Sequence, residues 1–165
     1  MRIAITDANI FIDLHTLNCL DWLVSLGLEV HTTDVILSEL TDEQKAAVIE
    51  VVTVVQSLSF DDLIALQNLN VSKGLSVPDQ SAIWYSKVLS APDMLILTND
   101  NLIRKWCKTN KVEVHGIIWL FDDMIDAALL TKSQATLLLK ELMKFNQWLP
   151  DKECAERLEK WSASK

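Results

Sequence analysis

Four acidic residues stand where a chain of alternating strands and helices can bring them to one place. Asp7 directly follows an apolar, strand-like run, and Asp100 comes two residues after another. Glu39 and Asp79 lie near the starts of two segments with a helical pattern. In an open parallel sheet, ligands bind beyond the carboxyl ends of the strands, and Asp7 and Asp100 belong to that edge by strand assignment alone.

Carboxylates gathered at one point have a defined chemistry. Two of them about 5 Å apart repel each other by roughly 3 kcal/mol at an effective dielectric constant near 20. A cluster of four therefore requires protons or cations. Oxygen ligands without a supporting His or Cys select a hard ion, Mg²⁺ or Mn²⁺. Such an ion serves phosphate chemistry by holding non-bridging oxygens and stabilising the leaving oxygen.

Each acid also has an ordinary structural interpretation. Asp79 can stabilise a helix N-terminus, and its spacing from Ser76 fits a capping box. Asp100 can be a turn residue, and Glu39 can belong to a solvated helix face. The combination of the four, and not any one of them, favours a metal site.

The elements that must position these residues follow from the hydrophobic pattern. Short apolar runs alternate with helical segments, which predicts an α/β fold with a mostly parallel sheet and a helical C-terminal third. Strands are expected over 2–6, 28–31, 94–98 and 112–114, while the β-branched run 51–58 is left undecided. Helices are expected over 20–26, 34–40, 41–48, 59–74, 76–89, 101–109, 117–129, 133–146 and 151–161.

Composition restricts the functions that the chain can have. The 165 residues include 15 Lys and Arg against 23 Asp and Glu, a formal net charge of -8. Bulk attraction therefore cannot hold a polyanion, and nucleic-acid binding needs local positive charge or metal ions. With three glycines, no phosphate-binding glycine loop is present. Three scattered cysteines and the lack of a long apolar run predict a cytoplasmic protein without a membrane segment.

Read in order, the acids and their neighbours resemble the motifs of the PIN-domain nucleases. The resemblance covers roughly residues 2–125, and only the ordered set is specific. It consists of Asp7-Ala8-Asn9 after the first strand, Glu39 in the segment Thr33–Leu40, Asp79 in Pro78–Ala82, and Thr98-Asn99-Asp100 after the strand at 94–98.

The resemblance implies a fold, an activity and a site. The fold is a three-layer α/β/α sandwich around a parallel sheet of four or five strands, and the activity is that of a Mg²⁺- or Mn²⁺-dependent ribonuclease. Carried over by position, the four acids form the metal site, and Asn9 and Thr98 orient the carboxylates. We expect a single domain over 1–165, with a PIN-like core of about 2–125 and a helical extension of about 126–165.

The resemblance also suggests partners. Many small bacterial members resemble VapC-type toxins, each held inactive by an antitoxin protein. An antitoxin therefore joins RNA as an expected partner, while the choice between RNA and DNA stays open. The amphipathic segments Leu137–Leu149 and Cys154–Trp161 are expected to cover the sheet or to pair with a second copy in a homodimer.

One basic stretch begins four residues after Asp100. Its cations Arg104, Lys105 and Lys108 are candidates for contact with a phosphate backbone, or they form a solvated helix face. Trp106 lies between them, and its spacing from Ile103 favours a place in the core over base stacking.

Two other functions compete with the ribonuclease. The first is a catalytically inactive PIN-like module that acts by binding, which the acidic charge and the helical extension favour. The second is a phosphotransfer or phosphatase domain with acids at its strand ends. Asn9 opposes a dehalogenase-type phosphatase, which has a second aspartate there, and no catalytic lysine is evident.

Overall fold

A computed structural model describes residues 1–163 and contains a five-stranded sheet in which every neighbouring pair is parallel. The order across the sheet is β3-β2-β1-β4-β5. The strands are β1 (Arg2–Thr6), β2 (Leu28–Thr33), β3 (Val54–Gln56), β4 (Met94–Leu97) and β5 (Glu113–His115). The undecided run 51–58 therefore supplies the edge strand β3.

Helices connect the strands and cover the sheet. Those before β4 are α1 (Ala8–Thr16), α2 (Trp22–Ser25), α3 (Asp34–Leu37), α4 (Asp42–Ile49), α5 (Phe60–Gln67) and α6 (Val77–Leu89). Those after β4 are α7 (Asn101–Thr109), α8 (Ile117–Asp126), α9 (Lys132–Phe145) and α10 (Asp151–Ser162). Within residues 1–163, none of these helices is long and apolar enough to cross a membrane.

The strand order reverses between β1 and β4. From β1 the chain proceeds to β2 and β3 on one side of the sheet, and it returns to β4 and β5 on the other. Thr6 pairs with Leu97 at the end of this central pair, so that Asp7 and Thr98 follow at the same level. A crevice at such a reversal is where open α/β sheets bind their ligands.

The two central strands form the middle of the core. Ala4, Ile5, Leu95, Ile96 and Leu97 are fully buried. Continuous burial, without alternation, means that helices cover both faces of the sheet. The predicted three-layer α/β/α fold around a parallel sheet is therefore confirmed, with five strands.

Two predicted helices are shorter than expected. The helix expected over 59–74 ends at Gln67, because the segment after it is rich in the turn-forming residues Asn, Ser and Gly. The helix expected over 34–40 ends at Leu37, where the Ser38 hydroxyl donates to the Val35 carbonyl at 2.6 Å. Glu39 therefore lies in the turn after α3 and not within a helix.

The first connection also differs from its prediction. Instead of one helix reaching residue 26, α1 ends at Thr16 and the short α2 begins at Trp22. Asn18 between them has a left-handed backbone with φ 53°, which interrupts a helix. Gly27, which follows α2, has a left-handed backbone with φ 69°, a conformation that glycine adopts at helix ends.

Aromatic rings join the C-terminal helices to the rest of the molecule. The Phe121 ring meets Trp22 edge-on at 5.0 Å between centroids and lies 5.8 Å from Trp161 of α10. Leu139, Leu142 and Cys154 of the extension are buried in the same core. The expected covering role of the two amphipathic segments thus agrees with their packing.

The prediction of one domain can be tested at Trp161. Trp161→Ala should lower the free energy of unfolding by about 3–5 kcal/mol, because it leaves a large cavity beside Phe121. If extension and core form one domain, circular dichroism and tryptophan fluorescence will report a single urea transition. Trp148→Ala is the control, since its ring is 94% exposed, and should change stability by less than about 0.5 kcal/mol. Separate transitions for the two probes would contradict the single domain.

Candidate active site

Asp7 is a buried carboxylate at the end of β1. Its residue is 1% exposed, and its backbone N–H continues the sheet by donating to the Leu97 carbonyl at 3.0 Å. One carboxylate oxygen accepts from the Ala8 N–H at 2.7 Å, which caps α1. The other accepts from the Thr98 hydroxyl at 2.9 Å. Both oxygens are therefore fixed in direction, one by Ala8 at the start of α1 and the other by Thr98 just after β4.

Thr98 also fixes the backbone of Asp100. Its hydroxyl oxygen accepts from the Asp100 N–H at 3.0 Å while its proton is donated to Asp7. The Asp100 carboxylate in turn caps α7 by accepting from the Ile103 N–H at 2.8 Å. A single buried hydroxyl thus connects the two acids that follow the central strands.

Asp79 reaches the same edge of the sheet from a helix. It completes a capping box with Ser76, in which its carboxylate accepts from the Ser76 N–H at 3.3 Å. Because α6 runs back to the start of β4, its N-terminus lies at the carboxyl ends of the strands. The capping interpretation of Asp79 is therefore confirmed, while its role at a metal site stays a prediction.

The acids influence one another electrostatically. Burial and then the negative charge of Asp79 raise the pKa of Asp7 to about 7, with a smaller increase from Glu39. Hydrogen bonds from Thr98 and Ala8 act in the opposite direction. The pKa of Glu39 is raised by burial and then by Asp79. The pKa of Asp79 is raised by burial and also by the charge of Asp100. The charges of the four acids thus influence one another in pairs, while their role as one metal site stays a prediction.

A sequence model of one family covers nearly the whole chain. The family is described as PIN domain, and the match extends over residues 3–163. The chain belongs to the PIN-domain family. PIN domains are generally nucleases that bind nucleic acid and use divalent metals. No curated protein shows significant similarity to this chain.

The donor set of this PIN domain fits a hard divalent cation by its chemistry. All four side chains offer oxygen only, and their shared negative charge is what such a cation neutralises. Among residues 1–163, no three His, Cys, Asp or Glu side chains are already arranged as a cage for a metal ion. Without a cation, electrostatic repulsion disfavours an arrangement in which several carboxylates point their oxygens toward one another.

The two residues expected to orient the carboxylates differ in their surroundings. Thr98 makes the contact expected of it, through its bond to Asp7. Asn9 is exposed and lines a cavity that Asp100 also borders. In the part of the chain that the structure describes, the Asn9 side chain has no hydrogen bond to an acid. The expected role of Asn9 stays a prediction.

Asp13 is a polar residue of this region that the sequence analysis passed over. It is 5% exposed on α1 and accepts two hydrogen bonds from the Asn146 amide, both at 3.0 Å. Asn99 donates to it as well, at 3.3 Å. Burial raises the pKa of Asp13 to about 6. The sequence did contain a signal for Asp13, since it lies between Ile12 and Leu14 in an apolar helix. An acid that is buried in such a helix needs hydrogen-bond partners.

Gly116 allows Asn99 and Arg104 to lie close to the start of α8. A Cβ atom at Gly116 would be 2.6 Å from the Asn99 amide oxygen and 2.8 Å from an Arg104 guanidinium nitrogen. The same Asn99 oxygen accepts from the Ile117 N–H at 3.0 Å. Any larger residue would displace these groups, so the glycine is required for close approach.

The three candidate cations of α7 are not equivalent. Arg104 donates to the Thr98 carbonyl at 3.4 Å and lines a cavity with Asn99 and Asn101, the two sequence neighbours of Asp100. Lys105 lines a different cavity together with Trp106, and Lys108 is exposed on the outer face of the helix. Trp106 is half-buried against the core, as expected, and the Lys87 ammonium lies 5.4 Å from its ring centre.

The raised pKa of Asp7 predicts how stability changes with pH in the absence of metal. The folded protein holds the Asp7 proton up to about pH 7, whereas the unfolded chain releases it near 3.8. Stability from this group is therefore complete below about pH 4 and is lost as the pH rises to about 7. In EDTA, the free energy of unfolding should fall over this range, and Asp7→Asn should make the fall less steep. Asp13 leaves a residual slope, because its pKa is about 6.

Urea unfolding of both proteins at a series of pH values gives the comparison directly. Parallel pH profiles for the wild type and Asp7→Asn would contradict the assignment of a raised pKa to Asp7.

Proposed function

We propose that this PIN domain is a divalent-metal-dependent endoribonuclease with its site formed by Asp7, Glu39, Asp79 and Asp100. The observation that carries the proposal is the position of these acids at the reversal of strand order, where Thr98 connects Asp7 and Asp100. Mutually raised pKa values support it, because clustered carboxylates that lack a structural cation partner are typical of functional sites.

The carboxylates divide into buried and accessible members. Asp7 is buried and rigid, so it would hold the inner side of a cation, while Asp79 and Asp100 would hold it from the two helix starts. Glu39 is exposed in a turn and would complete the site from the open side. A bound Mg²⁺ or Mn²⁺ supplies Lewis-acid chemistry, which stabilises the charge that develops on a phosphodiester during hydrolysis.

Arg104 is the cation best placed to bind the substrate. It lies in α7, four residues after Asp100, and it lines the cavity that Asn99 and Asn101 also border. Arg presents a planar fork of donors that matches the oxygens of a phosphate. Because the net charge of the chain is -8, binding of nucleic acid needs local positive charge, and Arg104 supplies such a charge.

Removal of single acids tests the site. Asp7→Asn or Asp100→Asn should reduce RNA hydrolysis to less than about one hundredth, because either change removes a charged metal ligand. Asp61→Asn is the matched control, since Asp61 is an exposed acid in the first turn of α5, and should retain full activity. Cleavage of a labelled RNA in Mg²⁺ and in Mn²⁺ provides the measurement.

Circular dichroism of each variant must match the wild type for the comparison to count. Undiminished cleavage by Asp7→Asn, purified in parallel with Asp61→Asn, would refute the proposed site.

An inactive module remains the second candidate, favoured by the absence of a ready-made cage among residues 1–163. Metal titration separates the two. For the nuclease, Mn²⁺ at a hundredfold excess over its dissociation constant should stabilise the fold by about 2.7 kcal/mol. The effect should grow from pH 6 to pH 8, because Asp7 has a pKa of about 7 and must lose its proton to bind. Thermal unfolding midpoints that stay constant at all pH values, together with absent cleavage, would favour the inactive module.

A toxin–antitoxin role is the finer part of the proposal. Helix α5 presents Phe60, Leu63 and Ile64 on one side, with Phe60 77% exposed. Exposed apolar groups at this spacing are typical of a helix that contacts another protein. An antitoxin or a second copy of the chain would have this chemistry, and we propose the antitoxin as the partner that controls the nuclease.

A further inference from the structure

Trp148 is placed unlike the other tryptophans of the chain. Its residue is 94% exposed, whereas Trp22, Trp84 and Trp161 are buried and Trp106 and Trp119 are half-buried. Tryptophan is highly buried on average, because its ring gains more than most side chains from leaving water. The exposed Trp148 ring therefore does not contribute the favourable free energy of burial that the other tryptophans contribute to folding.

The backbone that carries this ring is nevertheless fixed. The Trp148 N–H donates to the Asn146 side-chain oxygen at 2.9 Å. The Asn146 amide in turn donates to both oxygens of buried Asp13, which also accepts from Asn99 beside Asp100. These hydrogen bonds fix the backbone of Trp148 relative to Asp13 and Asn99, while the Trp148 ring is exposed to solvent.

Trp148 borders two adjoining cavities. One has a volume of about 300 Å³ and reaches Asn9 and Asp100. The other has a volume of about 320 Å³ and reaches Arg104 and Trp119. Asn99 and Asn101 line both. Each volume lies at the lower end of the range for small-molecule sites, about 300–1,000 Å³.

The residues that line these two cavities suit an unpaired nucleotide. In the cavity that reaches Asp100, four of the seven lining residues are asparagines. Asn99 and Asn146 are engaged with Asp13, whereas the Asn9 and Asn101 amides have no hydrogen bond within residues 1–163 and can donate to and accept from base edges. Arg104 supplies the donor fork for a phosphate. The Arg157 guanidinium lies 2.7 Å from Asp122 and is therefore largely neutralised. With so little free positive charge, affinity for RNA must come from ring stacking more than from phosphate contacts.

We propose that Trp148 is a stacking platform that holds one unpaired base of a single-stranded RNA and thereby places the neighbouring phosphate beside Asp100. This inference deepens the proposed function and rests on it. Base stacking on an aromatic ring tolerates any base, because every base has a π-face. A double helix cannot use the platform, since its bases are already stacked on one another.

Binding is measured without hydrolysis, by fluorescence anisotropy of a labelled single-stranded RNA of about eight nucleotides in EDTA. Trp148→Ala should weaken binding about tenfold or more, and Trp148→Phe should restore most of the affinity. Phe60→Ala is the matched control, since it removes another exposed aromatic ring that borders neither cavity, and should leave the affinity unchanged. A duplex of the same sequence should bind equally to the wild type and Trp148→Ala.

An abasic scan locates the base. At one nucleotide position, removal of the base should weaken binding to the wild type by the same factor as Trp148→Ala, and the two changes together should have no further effect. Equal affinities of the wild type and Trp148→Ala for single-stranded RNA would overturn the inference and point to a protein at this ring. Failure of the wild type to bind single-stranded RNA would overturn it as well.

The outcome is separable from that of the metal site. If Asp7→Asn still cleaves RNA, the proposed acidic site fails, while the binding comparison in EDTA still decides the role of Trp148. If Trp148→Ala binds RNA normally and Asp7→Asn is inactive, only the stacking platform fails.

Discussion

Negative charge collected at one edge of a sheet is the constraint on which the rest of this structure depends. Negatively charged groups whose neighbours raise the pKa of Asp7, Glu39 and Asp79 cannot be held together by attraction, so the fold must hold them by other means. Buried strands and helix caps provide those means. The Thr98 hydroxyl and the backbone N–H groups of Ala8 and Ile103 fix Asp7 and Asp100 in direction, and Ser76 does the same for Asp79. The stability of the core is used to keep charges where a cation can neutralise them.

The same groups serve the fold and the site at once. Asp7, Asp79 and Asp100 each contribute to the start of a helix, and a carboxylate that accepts a capping hydrogen bond keeps further lone pairs for another partner. A structural role and a functional role are therefore compatible at these positions. Helix N-termini also favour negative charge through their dipoles, which partly offsets the repulsion among the acids. Three of the four acids proposed for the metal site thus also stabilise a helix start.

The C-terminal helices lie within the family match and contribute residues close to the acids. Asn146 at the end of α9 reaches back to Asp13, and Trp148 follows on the surface between two cavities. An acidic molecule has few cations with which to hold RNA, and an exposed ring beside the acids is one way to gain affinity without charge. Phosphate chemistry and substrate binding would thus be divided between the sheet edge and the extension.

The sequence by itself determined the elements and the identity of the acids, because periodicity, caps and residue types are local properties of the chain. It indicated the α/β class, the capping box at Ser76 and Asp79, and the ordered motif that resembles the PIN domain. It extended α3 to residue 40, past its end at Leu37, and α5 to residue 74, past its end at Gln67, since turn residues there compete with helix propensity over only a few residues. Only the tertiary structure decided that β1 and β4 are neighbours, that Thr98 connects two acids, and that Asp13 meets Asn146 across 133 positions of sequence. Such contacts depend on strand order and on packing between distant segments, which no local pattern encodes.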